Sequence, residues 1–182
     1  MIGVLVSGEG TNLQALVDSG LPVTAVASNK PGVRALERAQ RAGIPAAAFP
    51  LSDYPDRAKR DEVMGDWLDA HVVDLVVCAG FMQLLTPGFL DRFPAINVHP
   101  SLLPAFPGTA PIEEALAAGV RETGVTVHFV DEGVDTGPVI FQEPVPIEPG
   151  DTPAKLRERI HAVEHRLLPE AVRLFYAGAL RS

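Results

Sequence analysis

The sequence predicts an α/β fold: one domain built on an open sheet, mostly parallel, with an antiparallel C-terminal strand pair and helices on both faces. Three observations carry this. Short apolar runs alternate with segments of helical period through the first half, which is the pattern of parallel strands joined by crossover helices. Two apolar runs near the C-terminus are joined by the seven residues Asp131–Gly137 and Pro138, too few for a crossover, so they pair antiparallel. The 182 residues, 47% hydrophobic and 21% charged, match the composition of a globular chain and the length of one domain, 1–182.

The first strand is read in Ile2-Gly3-Val4-Leu5-Val6-Ser7, ending in Gly8-Glu9-Gly10; Thr11-Asn12 then precede Leu13, Leu16 and Val17 at helical spacing. Val23–Ala27 is the second strand, followed by a helix over 33–42 that Gly43 stops. Ala46–Phe49 gives a weak third strand, and Arg57–His71 a helix with Val63, Trp67 and Leu68 inward. Val72–Cys78 is a fourth strand, apolar on both faces as a central parallel strand must be. A short helix Pro87–Arg92 leads to a strand Ala95–His99, and Pro111 opens a helix through Ala118. Gly124–Val130 and Val139–Val145 are the hairpin strands around Asp131–Gly137. Thr152-Pro153 caps a final amphipathic helix expected to kink near Pro169. The plan is a Rossmann-like open sheet.

Charge and cysteine content narrow the function classes. The net charge is −8, which argues against an electrostatic grip on nucleic acid or an anionic membrane. The single cysteine, Cys78, excludes an internal disulfide and a cysteine-based metal cluster, and with no secretory signal before Ile2 the expected location is cytoplasmic. The longest stretch free of Asp, Glu, Lys and Arg, Phe93–Ile112, holds five prolines and is irregular backbone, not a membrane span.

Three places stand out as chemistry. Backbone N–H groups behind Ser7-Gly8-Glu9-Gly10-Thr11-Asn12 face outward at a helix N-terminus, where glycine lets a phosphate approach; the alternative is an ordinary tight turn. The string is not a dinucleotide fingerprint, because Leu13 stands at the third glycine and no acidic residue ends the second strand. Asn97 and His99 are two apart on a strand and so face the same way, at a carboxyl end of the sheet. The proline-bounded loop Pro100–Pro104 behind them would wall off water, although an Asn and a His there also serve as structural hydrogen-bonders. Asp135, between Gly133 and Gly137, is either a turn aspartate or a carboxylate that favours the His99 imidazolium and so keeps an acid available near neutral pH. The remaining histidines lack metal-ligand spacing; His161 and His165 at i, i+4 have no nearby third ligand.

Ser7–Gln14, Ala79-Gly80-Phe81-Met82, Asn97–Pro104 and Val134–Ile140, taken together and in order, resemble the phosphoribosylglycinamide formyltransferases, a family of folate-dependent formyl transferases. The resemblance covers essentially the whole chain, and Asn-x-His-Pro-Ser-Leu-Leu-Pro with a later Asp-x-Gly is specific to that superfamily. It implies transfer of the formyl group from 10-formyltetrahydrofolate to the amine of phosphoribosylglycinamide in purine synthesis, with no metal. Carried over by motif, Asn97, His99 and Asp135 would be catalytic. Gly10, Thr11, Asn12 and Glu164 would bind the ribonucleotide, and Arg57, Met82, Gln83, Leu84, Leu85 and Asn97 the folate. By halves, the N-terminal half is expected to hold the phosphate and the C-terminal half the folate and the chemistry, although Arg57 and Met82–Leu85 among the folate residues lie before the midpoint. The partners implied are small molecules, not nucleic acid or membrane, for a monomer or homodimer.

Two departures are visible. Thr109-Ala110-Pro111-Ile112 stands where the family often has a histidine, and Gln83 where an arginine is common. The Ala-Pro-Ile string is similar to the methionyl-tRNA formyltransferases, but those are expected to carry a further nucleic-acid-binding domain. Formyltetrahydrofolate deformylases share the Asn-His-Asp trio and are expected to carry a regulatory domain before the first strand. A non-catalytic folate- or nucleotide-binding protein would be expected to have lost one of the three.

Overall fold

The computed structural model describes residues 1–180. Seven strands run in the order β3-β2-β1-β4-β5-β6-β7: β1 Ile2–Val6, β2 Val23–Ser28, β3 Ala46–Ala48, β4 Leu75–Cys78, β5 Ala95–His99, β6 Glu122–Phe129 and β7 Val139–Pro146. β1 to β5 pair parallel, and β6 pairs antiparallel with β7. The helices are α1 Thr11–Asp18, α2 Arg34–Arg41, α3 Arg57–Ala70, α4 Pro87–Arg92, α5 Pro111–Ala118 and α6 Pro153–Tyr176. Two compact units are present, Met1–Asn97 and the chain from Val98 on. Among the described residues no helix is long and apolar enough to cross a membrane.

In the first unit the connections step outward from β1 in opposite directions: β1-β2-β3 one way, β4-β5 the other. Right-handed crossovers then set α1 and α2 on one face and α3 and α4 on the other, and α1 does pack on α2 and α3 on α4. Every residue of β1 and β4 is buried, as strands covered on both faces require. The reversal between β1 and β4 is a topological switch point, the place where open α/β sheets leave a crevice at strand carboxyl ends. Gly3 keeps this region tight: a Cβ there would sit 2.9 Å from a Leu68 methyl and 3.0 Å from a Val73 methyl.

In the second unit α6 packs across β6, β7 and α5. Leu156, Ile160, Leu167, Leu168, Ala171 and Val172 line its buried face, each large aliphatic contributing about 1.5–3 kcal/mol by leaving water. Thr152 caps it by accepting from the Lys155 N–H at 3.3 Å. The helix continues through Pro169, whose buried ring takes the place of one backbone donor.

The strand expected at 72–78 is shorter. Val72 takes a left-handed φ of 60° and is 72% exposed, because its N–H and that of Val73 close the turn after α3 on the Asp69 and Leu68 carbonyls. Apolar character alone hid this turn. The face of α3 also differs from expectation: Leu68 is buried, but Val63 and Trp67 are half-buried, and the covered stripe is Arg60, Asp61, Met64, Gly65 and Leu68.

Candidate functional site

In the second unit the chain folds an irregular loop over a hairpin, and polar side chains of β6 and β7 hold it there. Thr126 Oγ1 donates to the Ser101 carbonyl at 2.7 Å and accepts from the Leu103 N–H at 3.1 Å, while the Gln142 amide donates to the Leu103 carbonyl at 2.9 Å. Ser101 Oγ donates to the Ala105 carbonyl at 2.6 Å. Gly124 leaves room for this loop: a Cβ would stand 2.3 Å from Leu102 Cδ2.

His99 and Asp135 lie side by side in this unit, the second of the two readings the residues left open for the aspartate. His99 Nδ1 lies 3.4 Å from Asp135 Oδ2, and the imidazole is 4% exposed. Its Nε2 donates to the Phe106 carbonyl at 2.8 Å. Asp135 Oδ2 also accepts from the Gly108 N–H at 3.0 Å. His128, on β6, joins them: its Nε2 lies 3.6 Å from Asp135 Oδ1 while its Nδ1 donates to the Phe129 carbonyl at 2.8 Å. The carboxylate is therefore flanked by two buried imidazoles. Burial pushes the Asp135 carboxyl up, but the His128 hydrogen bond, the Gly108 N–H and the charges of His99 and His128 outweigh it, and the group sits below the ordinary carboxylate range. A signal for His128 was present: in the strand alternation it shares a face with Thr126, two residues before.

Asp135 holds this place with φ at 55°, a left-handed conformation that Asp tolerates better than most residues. Gly137 closes the turn where no other residue fits, since a Cβ there would stand 1.8 Å from the Phe129 carbonyl oxygen. Asn97 lies two residues before His99 on β5, half-buried between the buried Ile96 and Val98.

In the first unit the α1 N-terminus is shaped by Gly10, with φ at 76° and Ala35 only 2.7 Å from where a Cβ would be. Glu9 is turned away from it: its carboxylate pairs with Arg34 at 3.3 Å and its carbonyl accepts from Arg38 Nε at 2.7 Å. Asn12 is buried and Thr11 half-buried. At the switch point Ser7 Oγ donates to Asn29 Oδ1 at 2.5 Å and accepts from the Met82 N–H at 2.9 Å, tying the end of β1 to the segment after β4.

That segment presents Met82 and Leu84 to solvent, buries Leu85, and half-buries Gln83, whose Oε1 accepts from Arg60 Nη1. Arg60 is fully buried, bound through Nε to Asp61 at 2.6 Å and stacked over Phe81. Arg57 opens α3 and is exposed. In the second unit Glu164 is buried on α6, 4.0 Å from His161 Nε2. His161 and His165 stack with centroids 5.7 Å apart, and burial lowers both below the usual histidine range, with the charges of His165 and Arg157 adding to the shift at His161. Among the described residues no group of three His, Cys, Asp or Glu is placed to hold a metal ion.

A family described as formyl transferase matches residues 1–172. The chain is 45% identical over 190 residues to the trifunctional purine biosynthetic protein adenosine-3 of Chironomus tentans, covering 99% of this chain but 14% of that protein. It is 40% identical over 188 residues to the phosphoribosylglycinamide formyltransferase of Haemophilus influenzae, covering 99% of this chain and 89% of that one. The solved structure of glycinamide ribonucleotide transformylase 1 from Symbiobacterium toebii superposes with a TM-score of 0.96 at 48% identity, over 100% of this chain and 89% of that one.

Proposed function

Since the chain belongs to the formyl transferase family, we propose that it transfers the formyl group of 10-formyltetrahydrofolate to the amine of 5-phosphoribosylglycinamide, giving formylglycinamide ribonucleotide and tetrahydrofolate. The observation that carries this reading is the buried His99–Asp135 pair, 3.4 Å apart, on the strand that also bears Asn97.

The reaction needs its two substrates held in place and the charge that develops on oxygen met by donors. When the amine nitrogen bonds to the formyl carbon, the carbonyl π pair moves to oxygen. Donors aimed at that oxygen lower the barrier because they bind the developing charge more tightly than the ground-state carbonyl. Asn97, through its amide N–H, and His99, through a ring N–H, are those donors in this proposal. Collapse restores the C=O bond and breaks the bond to the folate nitrogen, which takes up the proton lost by the amine. Asp135 supports the imidazolium and helps pass that proton on, an assignment supported by its 3.4 Å approach to His99.

Gly10, Thr11 and Asn12 hold the phosphate at the α1 N-terminus, supported by the left-handed Gly10 and by Glu9 facing away. Glu164 contacts the ribose or the amine of the ribonucleotide. Met82 and Leu84 offer exposed apolar surface to the folate ring system, backed by Leu85, with Gln83 and Arg57 as its polar contacts.

The test is tetrahydrofolate release followed by absorbance, with both substrates supplied and with each omitted. Release that requires the ribonucleotide supports the transferase reading. Release without it points to hydrolysis, and no release under any condition overturns both.

A further inference from the structure

The two ring nitrogens of His99 are held differently, and the difference assigns their roles. Nε2 lies 2.8 Å from the Phe106 carbonyl oxygen, which can only accept, so Nε2 carries a proton in every state that keeps this bond. Nδ1 lies 3.4 Å from Asp135 Oδ2, longer than the 2.9–3.0 Å usual for a good N–H···O bond. A proton on Nδ1 is thus attracted by the carboxylate without being fully engaged by it. The titratable groups facing this pair are Asp135 itself and His128, 3.6 Å from the other carboxylate oxygen.

Phe106 reaches His99 by an uncommon backbone. Its φ is 51°, a left-handed conformation that bulky residues rarely adopt, and it sits between Ala105, whose carbonyl is held by Ser101, and Gly108, whose N–H is held by Asp135.

We propose that the Phe106 carbonyl locks the Nε2 proton of His99 in place, making Nδ1 the nitrogen that faces the reacting carbonyl and residue 106 a positioning residue. This deepens the formyl-transfer reading and rests on it. In the addition step the C=O π pair moves to oxygen as the amine nitrogen bonds to carbon, and the Nδ1–H donates to that oxyanion while keeping its proton; on collapse the pair returns to the C=O bond as the bond to the folate nitrogen breaks. His99 therefore ends each turnover with both protons it began with.

Two measurements test it. In the full chain labelled with ¹⁵N-histidine, with the His99 signals identified by their loss in His99→Gln, long-range ¹H–¹⁵N spectra at alkaline pH should show the neutral ring protonated on Nε2. A ring protonated on Nδ1, or an even mixture, overturns the proposal, and this reading is obtained whether or not the chain transfers formyl groups. Residue 106 is then varied by backbone tolerance: Phe106→Gly and Phe106→Asn accept a left-handed φ, and Phe106→Val does not. The Gly and Asn variants should keep kcat, while Val should lower it by about tenfold or more with KM for the ribonucleotide within about twofold, and should mix the His99 tautomers. Equal loss in all three variants, or none in the Val variant, overturns the proposal. If the Val variant does not fold, the wild-type tautomer decides.

Discussion

Asp135 shows at the scale of one residue how a turn aspartate comes to sit between two buried imidazoles. Two imidazoles and the Gly108 N–H hold its carboxyl below the ordinary range of about 3.9. A carboxyl whose folded pKa is depressed stabilises the fold fully above its unfolded pKa, and that contribution disappears as the pH falls through the lower folded value. Asn keeps the left-handed backbone but has no charge, so wild type should unfold at a higher temperature than Asp135→Asn at pH 7, with the gap closing below about pH 4. Thermal unfolding of both proteins across that range checks this. The pairing of His99 with Asp135 was legible only through the family resemblance, because a Gly-flanked aspartate on its own reads equally as a turn residue. The place of His128 was not, because only the folded hairpin brings a histidine near the end of β6 to a loop carboxylate 7 residues on in sequence.

Among the elements, α3 departs most from its sequence reading. Charged residues in a helix read as its solvated side, yet Arg60 and Asp61 are the buried ones, with side chains 0% and 1% exposed. Asp61 Oδ1 takes Arg60 Nε and Oδ2 takes the Thr86 N–H at 2.8 Å, so one carboxylate ties α3 to the start of α4. The helix period could not show this, because the partners arrive from residues 81–86, beyond β4. Removing one member leaves a buried charge alone, and Asp61→Ala should cost about 3–5 kcal/mol. Replacing both, as Arg60→Met with Asp61→Leu, should recover most of that loss, which denaturant midpoints for the single and double variants would measure. By contrast the strands and the helix stops were largely legible: uninterrupted apolar runs and well-placed glycines are local signals, and Val72 misled only because a β-branched residue rarely turns left-handed.

For the whole molecule the alternation of strands and helices was enough to predict the class of sheet, but not the order β3-β2-β1-β4-β5-β6-β7. That order depends on which way each crossover steps, and the switch point between β1 and β4 exists only because the direction reverses there. Cys78, at the end of β4, reports on the integrity of this core. Its thiol is buried and pushed up to about 12 by that burial, so a thiol reagent at pH 8 should leave the native protein unmodified and label it stoichiometrically once denaturant unfolds it. Rapid labelling of the native state would mean that the sheet opens locally at β4.

The central claim is that His99 and Asp135 act on the reacting carbonyl and not on substrate capture. The most direct measurement is kcat and KM for both substrates in Asp135→Asn, followed by tetrahydrofolate release. The account predicts a fall in kcat of about a hundredfold or more, with both KM values within a few-fold of wild type. An unchanged kcat with a large rise in either KM would contradict it, placing Asp135 in binding and leaving the chemistry to other residues.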